Sequence, residues 1–324
     1  MNILGIETSC DETAAAVVVD GRDVLSNVVV TSLQEHSRFG GIIPEIASRR
    51  QIEWIQPVVS RALSKAKVTL KDLDAIAVTK SPGLIGSLLV GLSFARALAR
   101  ACGKPVIEVD HIHAHAYSGF LNLPGHSTPG NPSLPAVALV VSGGHSSIFY
   151  IKDLAHFQLL GRTRDDAAGE AFDKVARILE LGYPGGPAID RLAQKAGGSN
   201  IRFPPAPLKG TFDLSFSGVK TAVLYYTRDH RALPHFSAGQ VAYAFQESVV
   251  EILTEKAFKA CRVKKARHLL VGGGVAANSA LRRRLKDMSG RWGVTVHIPS
   301  LPLCLDNAAM IAGLAYHLKL SVRR

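Results

Sequence analysis

The sequence predicts an α/β protein of two similar lobes with a cleft between them, and two observations carry that expectation. Two segments about 135 residues apart, ILGIETSCDETAAAVVV over 3–19 and ALVVSGGHSSIFYI over 138–151, follow one plan. Each reads as an apolar strand, a tight turn of small and polar residues and a second apolar strand, which is a β-hairpin signature. After each hairpin, strand and helix patterns alternate to the end of that half.

The elements follow in order. Behind the first hairpin, the turn GGIIPEIASRR leads into a helix through Ala62, then a strand DAIAVTK before SPGLIG. PVIEV reads as a short buried strand, and Asp110 stands where the N-cap of the next helix belongs. The stretch between Asn122 and Pro135, LPGHSTPGNPSLP, is rich in Pro and Gly without periodicity and reads as the connection between halves, expected at 122–134. The second half offers a helix AAGEAFDKVARILEL, a glycine turn YPGGP, a helix near AFQESVVEILTEKAFKAC, a strand HLLVGGG, a helix ANSALRRRLKDM and a strand VTVHIP. The expected division is a first lobe over 1–125, a second over 135–300, and a segment 301–324 returning to the first.

With 324 residues, 47% hydrophobic and 20% charged, the chain has the composition of a globular protein with proper cores. Cys10, Cys102, Cys261 and Cys304 are scattered without a CxxC pair, and the amino terminus reaches acidic residues before any leader-like apolar stretch. A cytoplasmic protein is expected. The most apolar run, Leu84 to Ala99, contains Arg96 and reads as too short for a membrane span. A formal charge of +12 and a pI near 9.7 favour a polyanionic partner, nucleic acid above all. Basic clusters stand at Lys264, Lys265 and Arg267, at Arg282, Arg283, Arg284 and Lys286, and at Arg323 and Arg324.

His111 and His115, four apart in DHIHAHAY, share a helix face and could bind one metal ion; polar residues on a helix face are the plain alternative. Position 112 is isoleucine, so the glutamate base of the zinc-protease motif is missing. His113 falls on another face. Three glycine-rich turns behind apolar strands, VVSGGH, YPGGP and LLVGGGVAAN, could bring backbone amides close to a nucleotide phosphate, yet neither a Walker lysine nor GxGxxG is present. Asp166, Glu170 and Asp173 fall on one helix face, where they could hold a metal, a ribose or only solvent. Asp306 precedes an apolar helix, and an N-cap suffices to explain it.

The motifs GIETSCDETAAAVV, GGIIPEIASR, SPGLIGSLLVG, VSGGH, DDAAGEAFDKVARIL, YPGGP, SFSGVKT, GGGVAAN and CLDNAAMIA resemble those of the TsaD (YgjD, Gcp) family, in order, from residue 3 to about 315. The resemblance implies the two-lobed, actin-like and Hsp70-like ATPase (ASKHA) fold. It also implies transfer of threonylcarbamoyl from L-threonylcarbamoyl-adenylate to N6 of adenosine 37 in tRNAs reading ANN codons. It further implies iron or zinc on His111, His115 and Asp306. The adenylate-bearing substrate would meet Val140, Val141, Ser142, Gly143, Gly144, Asp173, Gly186, Asp190 and Asn278. Asp11 and Glu12 match the amino-terminal motif and are candidates for a catalytic role. The implied partners are tRNA, a TsaB-like paralogue and a TsaE-like ATPase, with no membrane. Where many bacterial members carry glutamate, this chain has His113. A metallopeptidase, an ATP-dependent phosphotransferase of the same fold and a non-catalytic nucleic-acid-binding ATPase module are the rival readings.

Overall fold

The computed structural model describes residues 1–126, 132–205 and 208–321. In chain order its elements are β1 (Asn2–Glu7), β2 (Glu12–Val19), β3 (Asp23–Thr31), α1 (Leu33–Ser37), α2 (Pro44–Ala66), β4 (Ala75–Ser81), α3 (Ile85–Cys102), β5 (Val106–Asp110) and α4 (His111–Tyr117). There follow β6 (Ala136–Val141), β7 (Ser146–Asp153), β8 (His156–Arg162), α5 (Ala168–Ile178), α6 (Gly185–Ala196), α7 (Ser217–His230), α8 (Ala238–Lys264), β9 (His268–Gly272), α9 (Ser279–Trp292), β10 (Thr295–His297), α10 (Leu301–Cys304) and α11 (Ala308–Ser321). The connection expected at 122–134 lies partly, and Arg323 and Arg324 wholly, outside the described residues.

Both sheets have five strands and one plan. The first runs β3-β2-β1-β4-β5 and the second β8-β7-β6-β9-β10, so each half orders its strands third, second, first, fourth, fifth. The first two strands of each half pair antiparallel, Glu7 opposite Ala14 and Val141 opposite Ser146, while the fourth runs parallel to the first. The expected hairpins are therefore present, each extended by a third strand, β3 and β8, that the sequence analysis did not separate. The chain divides into one unit of residues 1–132, 153–156 and 299–324, and another of 133–152 and 157–298.

In the first unit, alternation along β1 sorts the core. Leu4 and Ile6 pack with Ile55, Val58 and Val59 of α2 and Ala95 and Ala99 of α3. Gly5 points to the other face, where a Cβ would stand 2.3 Å from the carbonyl oxygen of Ala308. Glycine thus lets α11 lie directly on β1. The helix α3 exceeds the expected run and, at 18 residues with mean hydropathy 1.4, has the length and composition of a membrane span. Its small buried residues, Ser87, Gly91, Ala95 and Ala99, form the face packed into this unit.

Three further expectations are corrected. The strand β5 is an edge strand in which only Val109 is fully buried and Glu108 is exposed, because among the described residues nothing pairs beyond it. YPGGP follows a helix, not a strand, and Gly185 and Gly186 open α6. Asp166 precedes α5 and is not on its face: its carboxylate accepts from Lys174 and from Lys220, 2.6 Å away. Asp165, its neighbour, accepts from the amides of Phe216 and Ser217 at the start of α7. This acidic pair therefore serves the fold.

Candidate functional site

In the first unit, the carboxyl ends of β1 and β5 and the start of α11 bring three donors together. Asp110 caps α4 by accepting from the His113 amide, 3.0 Å away, and so starts the helix where His111 and His115 fall one turn apart. Their rings meet edge to face with centroids 4.6 Å apart. At the far end of the chain, Asn307 caps α11, its Oδ1 accepting from the Met310 amide. The cap expected of Asp306 is thus supplied by its neighbour, and Asp306 turns instead to the histidines. Its Oδ1 lies 3.0 Å from His115 Nε2 and 3.7 Å from His111 Nε2.

These three ligand atoms all fall within 4.8 Å of one another. A tetrahedral ion with bonds near 2.1 Å separates its ligands by about 3.4 Å, so the donor set suits a divalent metal. The second nitrogen of His111 strengthens the fit. Its Nδ1 stands 3.0 Å from Glu7 Oε2, leaving Nε2 to face Asp306. Glu7 is fully buried at the end of β1 and also accepts from the Ser9 amide and the Thr79 hydroxyl. Burial works against its charge, but His111 and the Ser9 amide hold its pKa below the ordinary value. His115 Nδ1, by contrast, is buried without a partner among the described residues.

The surroundings are acidic. Burial opposes protonation of His111, yet Glu7 and Asp306 push its pKa to about 9, because these carboxylates favour positive charge at the ring. Burial and the charges of Asp306 and Asp11 hold the Glu12 carboxyl well above its usual range. The Cys10 thiol is raised by burial and the same acids, which leaves it neutral and a poor ligand. Asp11 accepts from the Thr31 hydroxyl and, through its carbonyl, from Ser32, tying the hairpin turn to the end of β3. Cys304 is buried, its thiol 3.6 Å from the Pro299 carbonyl. Ile112 occupies the place of a protease base and is buried.

In the second unit, the expected substrate contacts gather at the carboxyl edge of β6 and β9, where α/β sheets bind ligands. The turn after β6 is held by α5: Gly169 and Glu170 donate to the carbonyls of Ser142 and Gly143, both at 3.1 Å. A Cβ on Gly143 or Gly144 would meet nothing within 4 Å. Among the described residues no protein neighbour requires these two glycines, and their backbone is open to a close-lying ligand. Val140 and Val141 are fully buried within β6 and shape this edge from beneath. Gly273, at φ +90° after β9, would set a Cβ 2.3 Å from the Val141 carbonyl oxygen, so the second glycine turn abuts the first.

Three polar side chains tie the surrounding helices to this edge. Asp173 accepts from the Gly185 amide at 2.7 Å, and burial raises its pKa against the pull of the Gly185 and Gly186 amides. Asp190 accepts from the amide and hydroxyl of Ser279, joining α6 to α9. Asn278 caps α9 through the Leu281 amide and donates to Gln246 at 2.7 Å.

Sequence reasoning missed Glu7 and Gln246. A glutamate ending an otherwise apolar strand, NILGIE, was the signal for the first, since a buried carboxylate needs a charged or donating partner. Nothing in α8 marked Gln246, whose role depends on a residue 32 positions away.

The chain resembles known proteins over nearly its whole length. The model of the TsaD family, described as tRNA N6-adenosine threonylcarbamoyltransferase, matches residues 23–313. A protein so named from Clostridium botulinum strain 657 is 49% identical, with 100% of this chain and 94% of that protein covered. Another from Clostridium perfringens strain 13 is 50% identical over 97% of this chain and 91% of its own. Among solved structures, component A of the (R)-2-hydroxyglutaryl-CoA dehydratase of Acidaminococcus fermentans superposes with TM-score 0.57 at 16% identity, covering 99% of each chain. HypF of T. kodakarensis gives TM-score 0.66 at 15% identity, covering 99% of this chain and 48% of that one. These two likenesses are of fold, the two-lobed actin-like plan.

Proposed function

The chain belongs to the TsaD family, the tRNA N6-adenosine threonylcarbamoyltransferases, and on that footing we propose that it takes threonylcarbamoyl from L-threonylcarbamoyl-adenylate and places it on N6 of adenosine 37 in tRNAs reading ANN codons. The observation that carries the reading, beside the family match, is the convergence of His111, His115 and Asp306 from sequence positions nearly two hundred residues apart. Iron or zinc suits two imidazoles and one carboxylate. Bound there, the ion would supply Lewis acidity toward the threonylcarbamoyl group.

The chain's own residues do the rest. The exocyclic amine of adenine is a weak nucleophile because its lone pair is delocalised into the ring, so reactivity has to come from the donor, a mixed anhydride with AMP as leaving group. Open backbone at Ser142–Gly144 suits the phosphate of that AMP, where amides can stabilise charge as it develops. Asp173, Asp190 and Asn278 hold the helices around this edge in place. Glu7 fixes the His111 ring, a positioning role.

A TsaB-like paralogue and a TsaE-like ATPase are the proposed partners. The exposed Ile85 and Leu89 on α3, 79% and 57% accessible, suit an apolar protein contact. Replacing both with Ser should abolish co-purification of the paralogue; an undiminished complex would remove α3 from the interface.

The test is nucleoside mass spectrometry of unmodified ANN-reading tRNA incubated with the protein, its bacterial partners, threonine, bicarbonate, ATP and a donor-forming enzyme. Threonylcarbamoyladenosine is expected, and is lost with His115→Ala. No product alongside demonstrably active partners would favour the ATP-dependent phosphotransferase.

A further inference from the structure

At the opposite edge of the second sheet, the carboxyl ends of α8 and α9 and the segment entering β9 enclose an open cavity of about 580 Å³. It is lined by Arg262, Lys265, Arg267, Arg291 and Trp292, and by no acidic residue. The Arg262 guanidinium lies 5.4 Å over the Trp292 indole, whose other neighbour is Phe258. Nearby, Lys264 lies 5.1 Å over the Tyr150 ring. All four lining cations are exposed.

The plain reading is that these cations answer the negative ends of two helices. Each helix terminus carries about half a negative charge, so two termini account for about one of the four positive charges. Protein acids do not account for the others: among the described residues, none of the four is ion-paired, and Asp287, one turn before Arg291 on α9, makes no salt bridge to it. The neighbouring basic run differs. Arg284 is paired with Glu247 at 2.7 Å, and Arg282 donates to the Ala276 carbonyl at 2.8 Å. Surplus charge is thus concentrated in a concave site that also presents an indole edge and a guanidinium plane.

We propose that this pocket grips the tRNA substrate, Arg262, Lys265, Arg267 and Arg291 taking backbone phosphates while the Arg262–Trp292 stack receives an unpaired base. The proposal rests on the tRNA reading given above. Guanidinium and aromatic planes together suit RNA, where phosphates alternate with stackable bases. The pocket is not the seat of the donor. The five residues of β9 separate its entrance from the glycine turns at the other edge, about 16 Å at 3.3 Å per residue, and a tRNA is large enough to reach both edges.

The protein has two tryptophans, Trp54 and Trp292. In the full chain carrying Trp54→Phe, tryptophan emission, excited selectively over the seven tyrosines, therefore reports on the pocket alone. Titration with unmodified ANN-reading tRNA should quench it saturably, whereas AMP and poly-glutamate at matched charge should not. Arg267→Glu with Arg291→Glu should weaken tRNA binding at least tenfold and lower the log–log salt slope by about two, at unchanged melting temperature and metal content. Arg267→Lys with Arg291→Lys, which keeps the charge and guards against misfolding, should restore most of the affinity. Equal tRNA affinity and salt slope in the Glu variant would overturn the proposal, as would quenching by AMP or poly-glutamate equal to that by tRNA. Modification of tRNA by the wild-type protein, followed by mass spectrometry in parallel, distinguishes that failure from failure of the tRNA reading itself.

Discussion

Glu7 Oε2 lies 3.0 Å from His111 Nδ1, a contact between residues 104 positions apart that orients one imidazole toward Asp306. The carboxylate is buried and meets two further donors, so its cost of desolvation is offset only while all three bonds stand. Replacing it with an amide keeps the shape but removes the charge. Glu7→Gln should weaken metal binding about 10- to 100-fold in a chelator competition, with the fold retained by circular dichroism. An unchanged affinity would reduce Glu7 to a packing residue.

Asp306→Asn should strip the metal, as read by elemental analysis of purified protein, and lower transfer by at least about a hundredfold. The conversion preserves volume and leaves the Asn307 cap untouched. Chelation of wild-type protein should lower its melting temperature by several degrees, because an ion held at a hundred times its Kd stabilises by about 2.7 kcal/mol.

Gly143→Ala should leave the melting temperature within a degree of wild type, since its Cβ meets nothing within 4 Å. Donor binding should nonetheless fall, by roughly tenfold or more, if the methyl group occupies the space proposed for the adenylate. Calorimetry with a non-hydrolysable adenylate analogue separates the two effects. Undiminished binding would move the adenylate away from this turn.

Gly273→Ala should do the reverse. With φ at +90° and the Val141 carbonyl oxygen 2.3 Å from the new Cβ, strain and clash together should cost about 3 kcal/mol or more, visible in urea denaturation.

Asp166→Asn tests the acidic motif as structure. Burial alone would raise this carboxyl, but hydrogen bonds from Lys174 and Lys220 hold it below the ordinary range. A depressed folded-state pKa stabilises above the unfolded value, near 3.9, and that contribution is lost as pH falls through the folded value. Wild type should therefore exceed the variant by roughly 1 kcal/mol at pH 7, allowing for solvent screening, with the gap closing below about pH 4. Melts across that range decide it.

Much of this was legible in the chain. Hairpin signatures at 3–19 and 138–151 exposed the duplication because strand alternation and small turn residues are local features. The four-residue spacing of His111 and His115 placed both on one helix face for the same reason. Local rules also misled. Asp306 looked like a cap until Asn307 proved to hold that place, and Asp166 was expected on a helix face but lies before the helix, bonded to two lysines.

What sequence alone determined were therefore the features set by neighbours: element types, the repeated hairpin, the histidine pair, the glycine turns and the excess of positive charge. Tertiary structure decided which distant groups meet. α11 lies on β1 because Gly5 leaves room for it, and that approach carries Asp306 to the histidines. Glu7 becomes a partner of His111 only when β1 and β5 both flank β4 in one sheet. Four cations become a pocket because two helices, α8 and α9, end side by side. Hydrogen bonds and charges act over a few ångströms of space, and the distance along the chain that separates such partners leaves no trace of them in local pattern.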